Sequence, residues 1–183
     1  MTRSTPRGEN DLLQCFPPVA TPEARLLILG SMPGSRSLEA GQYYAHPRNL
    51  FWPILQALFD IPVAWPYEAR CEALKERGVA LWDVIGRCER DGSLDSAIRN
   101  QTLQPNDFAD FFARHRKIRR VFFNGGKAEE VFRRRVLPTL DSPGDELTLT
   151  RLPSTSPAYA ALSFEQKLAA WQAVAAALCE VQG

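Results

Sequence analysis

Four short apolar runs punctuate the chain: RLLILG at 25–30, VALWDVIG at 79–86, RVFFNGG at 120–126 and LTLTRLPS at 147–154. Each is rich in β-branched or aromatic residues and each is closed by a turn signal. They are continuous rather than alternating, as strands covered on both faces are. Helical patterns fill the intervals. NLFWPILQALF follows the first run, with Asn49 at the cap position. YEARCEALKERG precedes the second and stops at Gly78, a suitable C′ residue. NDFADFFARHRK opens behind Asn106 as its cap, and KAEEVFRRRVL leaves the third run. The last helix begins at SFEQ, where Ser163 and Gln166 fit a capping box, and continues through KLAAWQAVAAALCEV.

This alternation predicts an α/β domain with a mainly parallel sheet. No linker, repeat or low-complexity segment divides the chain, so residues 1–183 are expected to form one domain, with the first ten loosely ordered. In open α/β sheets the ligand crevice lies at the carboxyl ends of the strands. All four runs end in polar turns, GSMPG, WDVIG, NGGK and LPSTSP, which should converge at one mouth.

The segments at that mouth carry the candidate chemistry. Gly30 and Gly34 of GSMPGS permit close backbone approach, but the phosphate-loop pattern GxxxxGK[ST] is absent and a simple tight turn explains the hexapeptide equally well. QYYAHPRNLFW offers Tyr43, Tyr44, Phe51 and Trp52 as stacking faces. Asn49 suits either a helix cap or a polar contact, and His46 stands without a second histidine nearby. Asn124, closing an apolar strand, carries both donors and an acceptor for a base edge, or fills a turn. Ser154, Thr155 and Ser156 sit between two prolines, suited to phosphate contacts or to a local turn, and Tyr159 could enter a strand as a wedge. The basic stretches ARHRKIRR (113–120) and RRR (133–135) read as solvated faces, the first away from the mouth. No GxSxG elbow is present, and Asp83 and Asp95 near the second turn have no evident glycosidase setting.

Composition changes little. The apolar fraction of 45%, the charged fraction of 23% and a formal net charge of +1 are those of an ordinary globular protein, so nucleic-acid binding would need local clustering of Lys and Arg. The N-terminus lacks a signal-peptide pattern and no apolar run approaches bilayer length, which makes a cytoplasmic location the expectation. Cys15, Cys71, Cys88 and Cys179 contain no CxxC pair and read as free thiols.

Taken together, ILGSMPGSRSL, QYYAHPRNLFW, LWDVIGRCERDGSLDSAI, FFNGGKA and LPSTSPAYA resemble the uracil-DNA glycosylase superfamily, and within it the hypoxanthine-DNA glycosylase branch. The resemblance runs in order from residue 28 to 160. It implies a three-layer α/β/α fold with a short, mainly four-stranded parallel sheet. It also implies flipping of a deaminated base from DNA into a pocket and hydrolysis of its N-glycosidic bond, by a monomer without metal, iron–sulfur cluster or other cofactor. Mismatch-type relatives carry Asn in the first motif to hold the attacking water; here that position is Met32. In the hypoxanthine branch the Asn of HPxNxFW takes that part, which is Asn49. The turn Gly30, Ser31, Met32, Pro33 and Gly34 then becomes a backbone wall of the base pocket. Tyr43, Tyr44, His46, Phe51, Asp83 and Asn124 complete the pocket, and Ser154, Thr155, Ser156 and Tyr159 contact DNA. The same fold acting on uracil or xanthine, a non-catalytic single-strand binder, and a nucleotide hydrolase are the alternatives.

Overall fold

A computed structural model describes residues 12–141 and 147–180; the expected loose N-terminus lies outside them. The four apolar runs form β2 (Leu26–Gly30), β3 (Val79–Asp83), β6 (Arg120–Asn124) and β7 (Thr148–Leu152), in one parallel sheet of order β3-β2-β6-β7. Every residue of β2 and β3 is buried, the physical origin of their continuous apolar runs, which only Asp83 at the end of β3 interrupts.

Helices cover both faces, as the three-layer expectation requires. Residues on alternate positions point to opposite sides. Leu29, in register with Trp82 and Phe123, marks one face. There Trp82 and Phe123 meet Phe108 and Phe111 of α4 (Phe108–Arg114) and Phe132, which follows α5 (Gly126–Val131) in a π-helical turn. On the other face Phe51 of α2 (Phe51–Phe59) meets Trp171 of α6 (Phe164–Glu180), ring centroids 5.9 Å apart. The remaining helices are α1 (Ser35–Ala40) and α3 (Tyr67–Glu76).

Local signals behaved as written at two ends. Gly78 follows α3 with φ of 74°, and Ser163 and Gln166 exchange the two reciprocal bonds of a capping box at 2.9 and 3.2 Å. At α4 the cap is Asp107, whose carboxylate accepts from the Asp110 amide, not Asn106. The Asn106 amide instead donates to the Asp83 carbonyl at 2.8 Å and to Cys15 Sγ at 3.1 Å, tying the end of β3 to the N-terminal segment.

The second run is not one strand. After β3 the chain turns at Val84 into β4 (Ile85–Cys88), which pairs antiparallel with β1 (Leu13–Gln14) and β5 (Gln104–Pro105). The Val84 and Ile85 amides bond the Gly30 and Ser31 carbonyls at 2.8 and 3.0 Å, so the turn after β2 follows the second strand out of the main sheet. That coupling fixes the first wall of the site.

Candidate active site

The carboxyl ends of all four parallel strands border one cavity of about 330 Å³. Its floor follows from strand periodicity. Ile28, Leu81 and Phe122 are in register, so Gly30, Asp83 and Asn124, two residues further on, end their strands toward the same face. Gly30 is needed there: a β-carbon would lie 2.3 Å from Asp83 Oδ1 and 2.8 Å from the Tyr44 hydroxyl. The main chain thus lets two polar groups approach where any side chain would exclude them.

Those two groups are unusual. Asp83 Oδ2 is buried with no hydrogen-bond partner among the described residues, and the buried Tyr44 hydroxyl has no well-formed bond there, only the Asn124 side chain close by. Burial, with Asp95 adding to it, pushes the Asp83 carboxyl up to about 8, although Arg90 opposes the shift. The shift favours the neutral acid, which carries a proton to donate. Burial and the neighbouring Asp83 likewise push the Tyr44 hydroxyl upward, against the Asn124 side chain beside it. Asp95 is raised by burial as well, while its Oδ1 accepts from Ser31 Oγ at 2.6 Å.

Tyr44 is held by a strained backbone, φ 57° in a non-glycine residue, a conformation that costs about 1–2 kcal/mol. The turn lays its ring on Phe51, centroids 3.9 Å apart and nearly parallel. Phe51 is fully buried and does not border the cavity; it backs Tyr44 rather than meeting a base, because α2 carries it into the core. Tyr43 borders the cavity but its hydroxyl bonds the Phe16 and Pro17 carbonyls, leaving it a structural wall.

Asn49 also borders the cavity. It precedes the cap residue Leu50, and its Oδ1 accepts from the Phe51 amide at 3.0 Å. This bond orients the side chain without exhausting it: one Oδ1 lone pair and both Nδ2 hydrogens remain. Cap-like bonding and a water contact are thus compatible. His46 Nδ1 accepts from the Arg48 amide at 3.1 Å, which in the neutral ring places the proton on Nε2.

The third and fourth strand ends lock together. Asn124 Nδ2 donates to Thr155 Oγ1 at 2.8 Å, and the Thr155 amide donates to Asn124 Oδ1 at 2.9 Å. Thr155 is completely buried, so the expected phosphate contact is corrected: its hydroxyl braces Asn124. The second amide hydrogen of Asn124 is left for the Tyr44 hydroxyl or the cavity. The hydroxyls of Ser154 and Ser156 accept from the Ser156 and Ala158 amides, each at 3.2 Å, and both residues are half-buried at the rim. Tyr159 is exposed there, its carbonyl held by Lys167 Nζ at 2.6 Å.

Sequence reasoning missed Arg90. It is buried and donates to the carbonyls of Gly92 at 2.9 Å and Pro33 at 2.5 Å, with Met32 at 3.4 Å, clamping the GSMPG turn. Nothing in RCERDG distinguishes it from a surface arginine; only its contacts do. Met32, where relatives of the mismatch type carry Asn, is buried in this wall. The basic stretches lie elsewhere: Arg120 opens β6 at its amino end and pairs with Glu180, and Arg133 and Arg134 pair with Glu129 and Glu130.

This geometry agrees with the comparisons. The family model described as the uracil DNA glycosylase superfamily matches residues 17–175. The chain belongs to that superfamily. A hypoxanthine DNA glycosylase of Methanosarcina acetivorans is 35% identical over 160 residues, covering 87% of this chain and 95% of the relative. One from Methanosarcina barkeri is 37% identical over 118 residues, 64% of this chain and 73% of the relative. The solution structure of a Methanosarcina acetivorans protein assigned as a uracil DNA glycosylase superposes with a TM-score of 0.74 at 32% identity, covering 91% of this chain and 98% of that one. The enzyme class expected from the motifs, a DNA glycosylase acting on deaminated bases, stands with the family. Among the described residues no helix is long and apolar enough to cross a membrane.

Proposed function

We propose that this glycosylase excises hypoxanthine from DNA, leaving an abasic site for base-excision repair. The carrying observation is the meeting, in one cavity, of Asn49 and Asn124 with a buried, unpartnered acid, Asp83. Names of two relatives point the same way.

In this reading Asn49 holds the attacking water through its remaining Oδ1 lone pair. Tyr44 presents its ring to the flipped base, and the spare Asn124 amide hydrogen meets a carbonyl of the base. The neutral Asp83 carboxyl donates to a ring nitrogen acceptor. Hydrolysis moves the bonding pair of C1′–N9 onto the base and places a water hydroxyl on C1′. One proton is left over, which Asp83 takes up after giving its own to the base. A purine offers such a nitrogen beside its carbonyl, whereas uracil offers carbonyl oxygens alone, so the two bases place the accepting atom differently against this acid. Ser31, Pro33 and Gly34 supply backbone to the wall, and His46 donates from Nε2. Ser154 and Ser156 meet phosphate, and Tyr159 enters the stack. The protein works as a cytoplasmic monomer without metal or other cofactor.

The test uses duplexes carrying inosine, uracil or xanthine, incubated with EDTA and then probed for abasic sites. Cleavage at inosine in excess over uracil is expected. Binding without abasic sites would replace this reading with a single-strand binder, and loss of cleavage in EDTA would remove the metal-free mechanism.

A further inference from the structure

Four large apolar side chains stand exposed among the described residues, Val63, Trp65, Leu94 and Tyr159, and two of them, Leu94 and Tyr159, border the cavity. They come from opposite sides of it. The loop bearing Leu94 follows β4, into which the chain passes from β3 at one edge of the four-stranded sheet, and the loop bearing Tyr159 follows β7 at its other edge. Leu94 is 54% exposed, more than any of the other three.

Its loop is not slack. Arg90 closes it onto the Gly92 carbonyl at 2.9 Å and fastens it to Pro33 at 2.5 Å. Ser93 Oγ accepts from the Ser35 amide and bonds Ser35 Oγ, both at 2.9 Å. Asp95 accepts from Ser31 at 2.6 Å, and the Leu94 carbonyl accepts from the Ala97 amide at 3.0 Å. The residues on both sides are tied down while the leucine side chain stands in water. Such bracing contributes nothing to burying Leu94, and it presents an apolar group at a fixed place beside a cavity that a base must enter. Extruding a nucleotide opens an apolar gap between its neighbours, which a side chain of this size can occupy.

We propose that Leu94 inserts into the DNA base stack as the nucleotide leaves it, as a second wedge opposite Tyr159. The inference rests on the glycosylase reading above. Leu94 acts on the cost of opening the duplex and not on the bond that is hydrolysed.

The experiment compares single-turnover excision from an inosine-containing duplex and from the same strand alone, for wild type, Leu94→Ala and Leu94→Met. Leu94→Ala is expected to slow duplex excision by about tenfold to a hundredfold, the value of most of a buried leucine side chain, and to change single-strand excision by less than about threefold. Leu94→Met, which keeps the apolar bulk, should recover most of the duplex rate. A 2-aminopurine beside the lesion should brighten on binding wild type and not on binding Leu94→Ala. Equal losses on both substrates, or no loss on the duplex, would overturn the wedge. If wild type removed no base from either substrate the glycosylase reading would fall, and the 2-aminopurine signal would still judge Leu94.

Discussion

Replacing Asp83 by Asn separates the two consequences of burying an acid without a partner. Asp83 is 3% exposed and its carboxyl is raised from 3.8 to about 8, chiefly by burial. Between those values the folded protein keeps a proton that the unfolded chain has released. The folded state therefore binds more protons, and stability must fall as pH rises through that window. Each pH unit in that window is worth roughly 1 kcal/mol, so the penalty is on the order of 1–2 kcal/mol at pH 5 and on the order of 4 kcal/mol at pH 7. An amide of the same shape does not ionise, so Asp83→Asn removes this dependence. The variant should gain on the order of 2–3 kcal/mol over wild type between pH 5 and pH 7, or roughly 5–10 °C in midpoint for a chain of this size. Urea unfolding of both proteins at pH 5, 6 and 7 measures the gap. Parallel stability curves for the two would refute the reasoning, because they would mean that Asp83 ionises in the folded state as it does in the unfolded one. The same variant should lose inosine excision more than any residual uracil excision, an exchange of activity for stability of the kind strained sites show.

Asn49→Ala should lower the single-turnover rate on inosine by about 10²–10³-fold with little change in DNA binding, the scale of removing one preorganised polar contact to the reacting groups. Excision at the wild-type rate would defeat the assignment. Thr155→Val keeps the shape of a fully buried residue but deprives the Asn124 amide of its acceptor. A loss of about 1–3 kcal/mol in urea unfolding is expected, and an unchanged midpoint would show that the brace carries no weight. Gly30→Ala sets a methyl 2.3 Å from Asp83 Oδ1 and 2.8 Å from the Tyr44 hydroxyl, so excision should collapse even where circular dichroism shows the fold retained.

Much of the framework was legible because it is local. A strand covered on both faces is apolar along its length, as β2 is throughout and β3 is up to its last residue, Asp83. A glycine or a reciprocal cap marks a helix end within a few residues, and Gly78 and the Ser163–Gln166 pair are such marks. Convergence of the four polar turns also follows from a parallel sheet, whose strands all end on the same side. The substitution of Met32 for a polar residue, with Asn49 nearby, could be seen in the order of letters.

What the letters left open were partners distant in sequence. Asn124 and Thr155 complete each other across 31 positions, which turned an expected phosphate ligand into a buried brace. Arg90 reaches Pro33 across 57 positions, and Ser31 reaches Asp95 across 64. The break between β3 and β4 depends on Val84 and Ile85 finding Gly30 and Ser31. Phe51 was legible as an aromatic in the right motif, but its depth behind Tyr44 depends on how α2 sits against the sheet. The protonation of Asp83 is of the same kind. An aspartate has an ordinary titration wherever water surrounds it, and only the packing of Gly30, Tyr44 and the surrounding core against its carboxyl strips most of that water and favours the neutral acid.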